Sequence, residues 1–124
     1  MIKGIGTDLC QVSRMASLLA DSSFLTRYFD PGEQAYILSR GKLAADSMAG
    51  HFAAKEALAK ALGTGLDGVR LQDIVIQHDD KGAPSYHLKG TAKDLADSLG
   101  VTQAHLSISH DGGLAIAFTV LEGE

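Results

Sequence analysis

Residues 51–65 read H-F-A-A-K-E-A-L-A-K-A-L-G-T-G. They form the second half of a helix that the spacing predicts from near Lys42 to Leu62, and this helix decides the fold class. Between Leu43 and Leu62 most positions are Ala, Leu, Met or Phe, and these residues circle the helix instead of lining one stripe. A helix that is apolar all round belongs in a core. Lys55, Glu56 and Lys60 are three charges in surroundings that favour none. Glu56 shares a face with Ala49, Phe52 and Lys60, and Glu before Lys at this spacing stabilises an exposed helix by roughly 0.2–0.5 kcal/mol. Such a pair does not offset burial of a carboxylate, which costs several kcal/mol unless the group is paired or bound to metal. Gly63 suits a left-handed C-terminal cap. Gly63 and Gly65, on either side of Thr64, leave room for close approach. From this stretch alone a surface Glu56–Lys60 ion pair on a core helix remains a full alternative to a functional carboxylate.

On the N-terminal side, Ile2 to Thr7 alternates apolar with small or polar residues and reads as a strand. Gly4 and Gly6 fall on one of its faces and leave it bare where another backbone or a ligand approaches. Asp8 follows, where the strand is expected to pass into a loop. It reads there either as the N-cap of the next helix or as a site carboxylate. Cys10 reads as a small buried apolar residue. Helical spacing runs from Val12 to about Leu25, broken at Asp21-Ser22-Ser23, with Arg14 on the exposed side. Asp30, Pro31 and Glu33 make a capping box for a short helix through about Ser39, which Gly41 ends.

Beyond Gly65, Val69 to Gln77 reads as a strand, Asp79 to Gly82 as a turn, and Tyr86 and Leu88 as the returning strand. Pro84, early in that strand, implies an edge or a bulge. Thr91 is the expected cap of a helix closed by Gly100, and His105–His110 and Leu114–Leu121 form a second hairpin around Asp111-Gly112-Gly113. This order gives an α+β domain, with a mainly antiparallel sheet packed against one long buried helix and several shorter ones.

The length of 124 residues suits one domain spanning 1–124, and a sheet this short is expected to need company in an oligomer. One cysteine excludes an internal disulfide and a cysteine-rich zinc site. Neither a membrane span nor a signal peptide is read, and a cytoplasmic location is expected. Net charge is −4, but residues 1–62 hold seven Lys/Arg against six Asp/Glu, and residues 63–124 hold four against nine. No clustered basic face for nucleic acid follows from that. Arg14, Arg27, Arg40 and Lys42 could still form a small basic patch for an acidic partner.

Asp8, Glu56, Lys60 and the glycines at 63 and 65 make one constellation. Two carboxylates with no Cys/His cluster suit a hard cation such as Mg²⁺, which keeps waters and completes its octahedron with substrate phosphates. A lysine beside it supplies a point charge for phosphate oxygens. Phosphoryl-type chemistry on a diphosphate follows, without a P-loop. His110, in Ser109-His110-Asp111 at a hairpin end, reads equally as a solvated turn residue, a ligand contact or a base.

The motifs G-I-G-T-D-L-C (4–10), R-Y-F-D-P-G-E (27–33), F-A-A-K-E-A-L-A-K-A-L-G-T-G (52–65), K-G-A-P (81–84) and S-I-S-H-D (107–111) occur in that order. Together they resemble the holo-[acyl-carrier-protein] synthases, small stand-alone 4′-phosphopantetheinyl transferases, over the whole chain. The resemblance implies transfer of the phosphopantetheine arm of coenzyme A to a serine of apo acyl carrier protein, releasing adenosine 3′,5′-bisphosphate. It implies Mg²⁺ held by Asp8 and Glu56, with Lys60 adding positive charge. It also implies phosphate near the backbone of Gly63, Thr64 and Gly65, and nucleotide bordered by Pro84, Ser109 and His110. A homotrimer with clefts between subunits is implied, and a carrier docked through Arg14 and Arg27. The proton acceptor stays open among Glu56, Asp8 and a metal-bound water, with a role for His110 or Asp111 as a hypothesis. Two positions depart from the family. His51 stands where Arg is usual, which weakens any phosphate contact there or makes it pH-dependent. Asp30 stands where Thr or Ser is common. The rival readings are a non-catalytic module binding coenzyme A or a nucleotide, and a purely structural trimer.

Overall fold

The computed structural model describes residues 1–65 and 67–124, with the side chain of Ser22 excepted. Strand β1 (Ile2–Gln11) leads into helices α1 (Val12–Leu19), α2 (Ser22–Tyr28) and α3 (Pro31–Ser39). A 3-10 turn over Gly41–Leu43 precedes the long helix α4 (Ala44–Ala61), slightly later than the expected start near Lys42. A second 3-10 turn (Leu71–Asp73), β2 (Ile74–His78), β3 (Pro84–Leu88), α5 (Gly90–Ser98), β4 (Val101–Asp111) and β5 (Leu114–Gly123) complete the chain. The strands form an antiparallel three-stranded sheet in the order β1-β5-β4, and a separate β2–β3 hairpin. The α+β class with a long buried helix is what the sequence implied. Among the described residues no helix is long and apolar enough to cross a membrane.

The fold is assembled around α4, whose apolar residues from Met48 to Leu58 are almost wholly buried. On its sheet side the bare face of β1 has the purpose its alternation suggests. A Cβ on Gly4 would stand 2.0 Å from the Ala61 carbonyl oxygen, and one on Gly6 2.0 Å from that of Ala57. Helix backbone therefore lies directly on strand backbone, which only glycine permits.

Several boundaries differ from expectation, each for a local reason. Asp8 neither ends its strand nor caps α1. It pairs in register with Ala117 in the middle of β1, because the alternation continues through Leu9 and Cys10. The N-cap position of α1 is Gln11, without a side-chain bond. Asp21 breaks the Val12–Leu25 stretch by accepting from the Ser23 N–H at 3.0 Å, and α2 then runs on to Tyr28. The capping box of α3 is present as expected. Thr91 does not cap α5. The Asp73 carboxylate does so, accepting from the Thr91 N–H at 2.8 Å and its hydroxyl at 2.7 Å. Gly90 (φ +51°) is required there, since a Cβ would meet that carboxylate at 2.5 Å. The first of the two later strands starts at Ile74 rather than Val69, after the 3-10 turn, and β4 starts at Val101 rather than His105.

Replacing Gly6 with alanine is therefore expected to force α4 off the sheet. Overpacking of this kind costs about 3 kcal/mol, to be read as a lower denaturation midpoint in urea with an unchanged slope.

Candidate active site

Because α4 lies against β1, Asp8 and Glu56 come to share one corner of the molecule. Lys60 closes that corner: its Nζ donates to Asp8 Oδ1 at 3.0 Å and to the Thr7 carbonyl at 3.0 Å. The expected Glu56–Lys60 surface bond is not the contact that forms. Lys60 reaches across to β1 because the strand backbone is within its span and offers two acceptors. Glu56 is half-buried, and among the described residues nothing hydrogen-bonds its carboxylate. Its pKa is raised by burial first and then by the Asp8 charge, with Arg14 and Lys60 acting in the opposite sense. Two carboxylates thus repel each other in a partly desolvated corner, the electrostatic condition that a bound cation relieves. Among the described residues no third His, Cys, Asp or Glu joins them. A cation here would take two protein ligands and leave its other positions to water and substrate, as Mg²⁺ does. Cys10, buried beneath this corner, has its thiol pushed up to about 11 by burial, with Asp8 and Glu56 adding and Arg14 opposing, so it stays protonated and inert.

Gly63 and Gly65 follow at the C-terminus of α4 with φ of +85° and +58°. Their N–H groups do not point outward for a phosphate, contrary to expectation. Gly63 donates to the Lys60 carbonyl at 2.9 Å and Gly65 to that of Ala59 at 3.2 Å, because the helix end needs both donors. The Thr64 hydroxyl turns to the Gly65 carbonyl at 3.2 Å. What the two glycines supply is open space, since no atom lies within 4 Å of a Cβ at either.

The remaining expected residues lie on another flank of α4. A cleft of about 680 Å³ is lined by Arg40, His51, His78, Lys81, Pro84 and His110 among others. His110 Nε2 donates to the Asp46 carbonyl at 2.8 Å, and its ring packs on Gly50. Ser109 does not join it. Neighbours on a strand face opposite ways, so Ser109 lies beside Ile116 on the outer face of the sheet. Gly50 and Glu56 are six positions apart, about 9 Å along the helix and about 120° around it. The expected residues therefore fall into two separate groups on one chain, Asp8–Glu56–Lys60 and Pro84–His110.

The sequence reading missed a buried charge cluster between them. Lys55, 0% exposed, donates to Glu33 Oε1 at 2.6 Å and to the carbonyls of Leu71 at 2.9 Å and Ile74 at 2.5 Å. Glu33 is 2% exposed and also accepts from the Asp30 N–H, the Ile76 N–H and His51 Nδ1. Burial pushes the Glu33 carboxyl up, but the His51 bond and the Lys55 charge together outweigh it and hold the group below its ordinary range. Burial draws the Lys55 amine down; its three acceptors use all three N–H groups of an ammonium. His51 is thus a buried partner of Glu33 as well as part of the cleft wall. The available signal was His51 and Lys55 at i,i+4 on one face of an apolar helix.

The model of the 4′-phosphopantetheinyl transferase superfamily matches residues 4–119. The holo-[acyl-carrier-protein] synthase of Treponema denticola is 44% identical over 123 residues, 99% of this chain and 100% of that one. That of Alkalilimnicola ehrlichii is 47% identical over 125 residues, 98% of each. The crystal structure of the Neisseria meningitidis enzyme superposes with a TM-score of 0.90 at 35% identity, covering 98% of this chain and 99% of the other. The Helicobacter pylori enzyme, in complex with coenzyme A, gives 0.83 at 33%, covering 95% and 99%. Within the superfamily, the chain belongs to the holo-[acyl-carrier-protein] synthases.

Glu33→Gln leaves the Lys55 ammonium buried without its carboxylate, and a loss of about 3–5 kcal/mol is expected. The depressed Glu33 pKa contributes stability that is complete above the ordinary value of 4.5 and is lost as pH falls through the lower folded value. Denaturation midpoints of the wild type should therefore fall below about pH 4.5, and those of the variant should fall less steeply.

Proposed function

We propose that this chain, as a single transferase domain over residues 1–124, moves the 4′-phosphopantetheine group of coenzyme A to a serine of apo acyl carrier protein. Adenosine 3′,5′-bisphosphate leaves. The carrying observation is the pairing of Asp8 with Glu56, closed by Lys60, in a chain of this family. In the reaction the serine oxygen forms a bond to the phosphorus that bears the pantetheine arm. The bond from that phosphorus to the bridging pyrophosphate oxygen breaks, and the serine gives up its proton.

Asp8 and Glu56 would hold the metal, Mg²⁺. Bound there, such an ion neutralises charge growing on the leaving phosphate. Lys60, fixed by Thr7 and Asp8, keeps a second positive charge at the same corner. With a cation held there, the repulsion that, after burial, raises the Glu56 pKa is relieved, and Glu56 serves that ion as a ligand beside Asp8. His110 Nε2 is committed to the Asp46 carbonyl on the other flank of α4, which leaves His110 and Pro84 to border the nucleotide. Arg14 is exposed on α1 beside Glu56, and Arg27 is exposed on α2, positions suited to an acidic carrier. The chain would act in the cytoplasm, without nucleic acid.

The two groups are united if the protein is a homotrimer with clefts between subunits. The outer face of the sheet supports that assembly: Ile5 and Leu9 are 61% and 60% exposed, beside Ile116 and Phe118 at 40% and 48%. A patch of this kind marks an interface, and Ser109 sits at its margin.

Intact-mass measurement of apo acyl carrier protein after incubation with this protein, coenzyme A and Mg²⁺ tests the reading. A gain of one phosphopantetheine that EDTA abolishes is expected. Asp8→Asn and Glu56→Gln should slow it more than about a hundredfold, beyond the cost of losing an outer-shell metal partner, with unchanged melting. No gain with a competent carrier would leave a module that binds coenzyme A without turning it over. Phe118→Asp is expected to yield monomers by light scattering, with turnover lost alongside.

A further inference from the structure

Four side chains are stacked along the cleft wall. Arg40 Cζ lies 5.6 Å over the ring of Tyr36, whose centroid is 4.2 Å from that of His78 at an interplanar angle of 9°. His51 follows, 5.1 Å from His78. The two imidazoles also form a row of polar contacts from Glu33 to Gly82. His51 Nδ1 is 3.0 Å from Glu33 Oε2, His51 Nε2 is 2.9 Å from His78 Nε2, and His78 Nδ1 is 3.3 Å from the Gly82 carbonyl oxygen.

The two ends of this row are fixed chemically. A carboxylate and a carbonyl only accept, so both Nδ1 atoms must carry hydrogen for the outer contacts to be hydrogen bonds. The central contact needs one hydrogen as well, because two bare ring nitrogens at 2.9 Å would face each other with lone pairs. All three contacts are hydrogen bonds at once only with three N–H hydrogens, the one to Gly82 being the longest of the three. Two neutral imidazoles own only two.

We propose that His51 and His78 hold one additional proton in common, as a single cationic pair. Loss of that proton would release His78 from the Gly82 carbonyl in the 79–82 turn, which brings Lys81 to the cleft.

The surroundings suit one positive charge and no more. From α3, Glu33 balances it, Tyr36 offers a ring face to an imidazolium, and Arg40 opposes it from beyond Tyr36. From α4, Lys55 opposes it and Asp46 lies in the cleft. The turn contributes Asp80 and Lys81, with Asp79 occupied by the N–H groups of Lys81 and Ala83. From β4, His110 faces the same space. Burial is the largest influence on His51 and disfavours its charged form, and His78 is the more open of the two rings. The cationic pair exists at lower pH and is lost as pH rises. A second proton, entering at still lower pH, breaks the central contact from the other side, and the rings titrate in two linked steps. If the transferase reading holds, a nucleotide phosphate meets a wall one charge richer on the acid side.

The test is a histidine-resolved NMR titration of the ligand-free protein from about pH 4.5 to 9, a range that brackets imidazole titration. Both rings should report the same two steps, and the Gly82 amide should move with the upper one. In His78→Gln, His51 should lose the upper step. Independent single-step curves for the two rings, or a Gly82 amide that ignores the upper step, would overturn the proposal. A second arm measures the Kd for adenosine 3′,5′-bisphosphate at pH 6 and 8.5. A weakening on the order of tenfold at the higher pH is expected for one lost charge in the cleft, and none beyond that of a control protein in His51→Arg. Failure to bind at either pH would count against the transferase reading alone, because the NMR result decides the shared proton without any ligand.

Discussion

The contact on which the rest of the molecule depends is backbone against backbone, between β1 and α4. Gly4 and Gly6 remove the two Cβ atoms that would hold the helix away, and the carbonyls of Ala61 and Ala57 occupy the space. Everything at the carboxylate corner follows from that distance. Asp8 is two residues beyond Gly6 on the same strand face, and Glu56 is one residue before Ala57 on the helix. A helix held a side chain's width further out would leave these acids as two unrelated surface groups. Lys60 would then no longer span the gap to Thr7.

A second constraint fixes how α4 is turned about its own axis. Lys55 is anchored at Nζ by Glu33 from α3 and by two carbonyls from the segment leading into β2. A buried ion pair of this kind adds little net stability compared with apolar packing, but removing one partner is costly. Its value here is directional. With Lys55 pinned to one side and Ala57 pressed on β1 at another, the neighbouring Glu56 has one remaining direction, toward Asp8. The same carboxylate of Glu33 aims His51, so the cleft wall and the acid corner are set by one buried group.

What the sequence discloses follows the range of each interaction. Capping of α3 by Asp30, Pro31 and Glu33 is complete within four residues, and it is readable as a motif. The bare face of β1 is readable too, since period two puts Gly4 and Gly6 together. The capping of α5 by Asp73 is not, because a carboxylate 18 residues upstream does what Thr91 was expected to do. Glu33 shows the limit most clearly. Its local capping bond accounts for its presence, and so conceals the bonds to His51 and Lys55, 18 and 22 residues away. Asp8 and Glu56 stand out by type and setting, and both lie within the stretches that resemble the family's motifs. Only the fold shows that Lys60 turns to Asp8, that Gly63 and Gly65 spend their N–H groups on the helix end, and that Ser109 faces away from His110.

The arrangement around Glu33 also bears on how such a protein can change over generations. One carboxylate answers a helix N-terminus, an ammonium, an imidazole and a strand N–H at once. Aspartate is too short to reach all four, and glutamine presents one acceptor oxygen where two are in use. Substitution at this position therefore has no single-step neighbour that preserves the set. Positions 33, 51, 55 and 78 form a group that drifts together or stays still, and across descendants of this chain they should be inherited as a block.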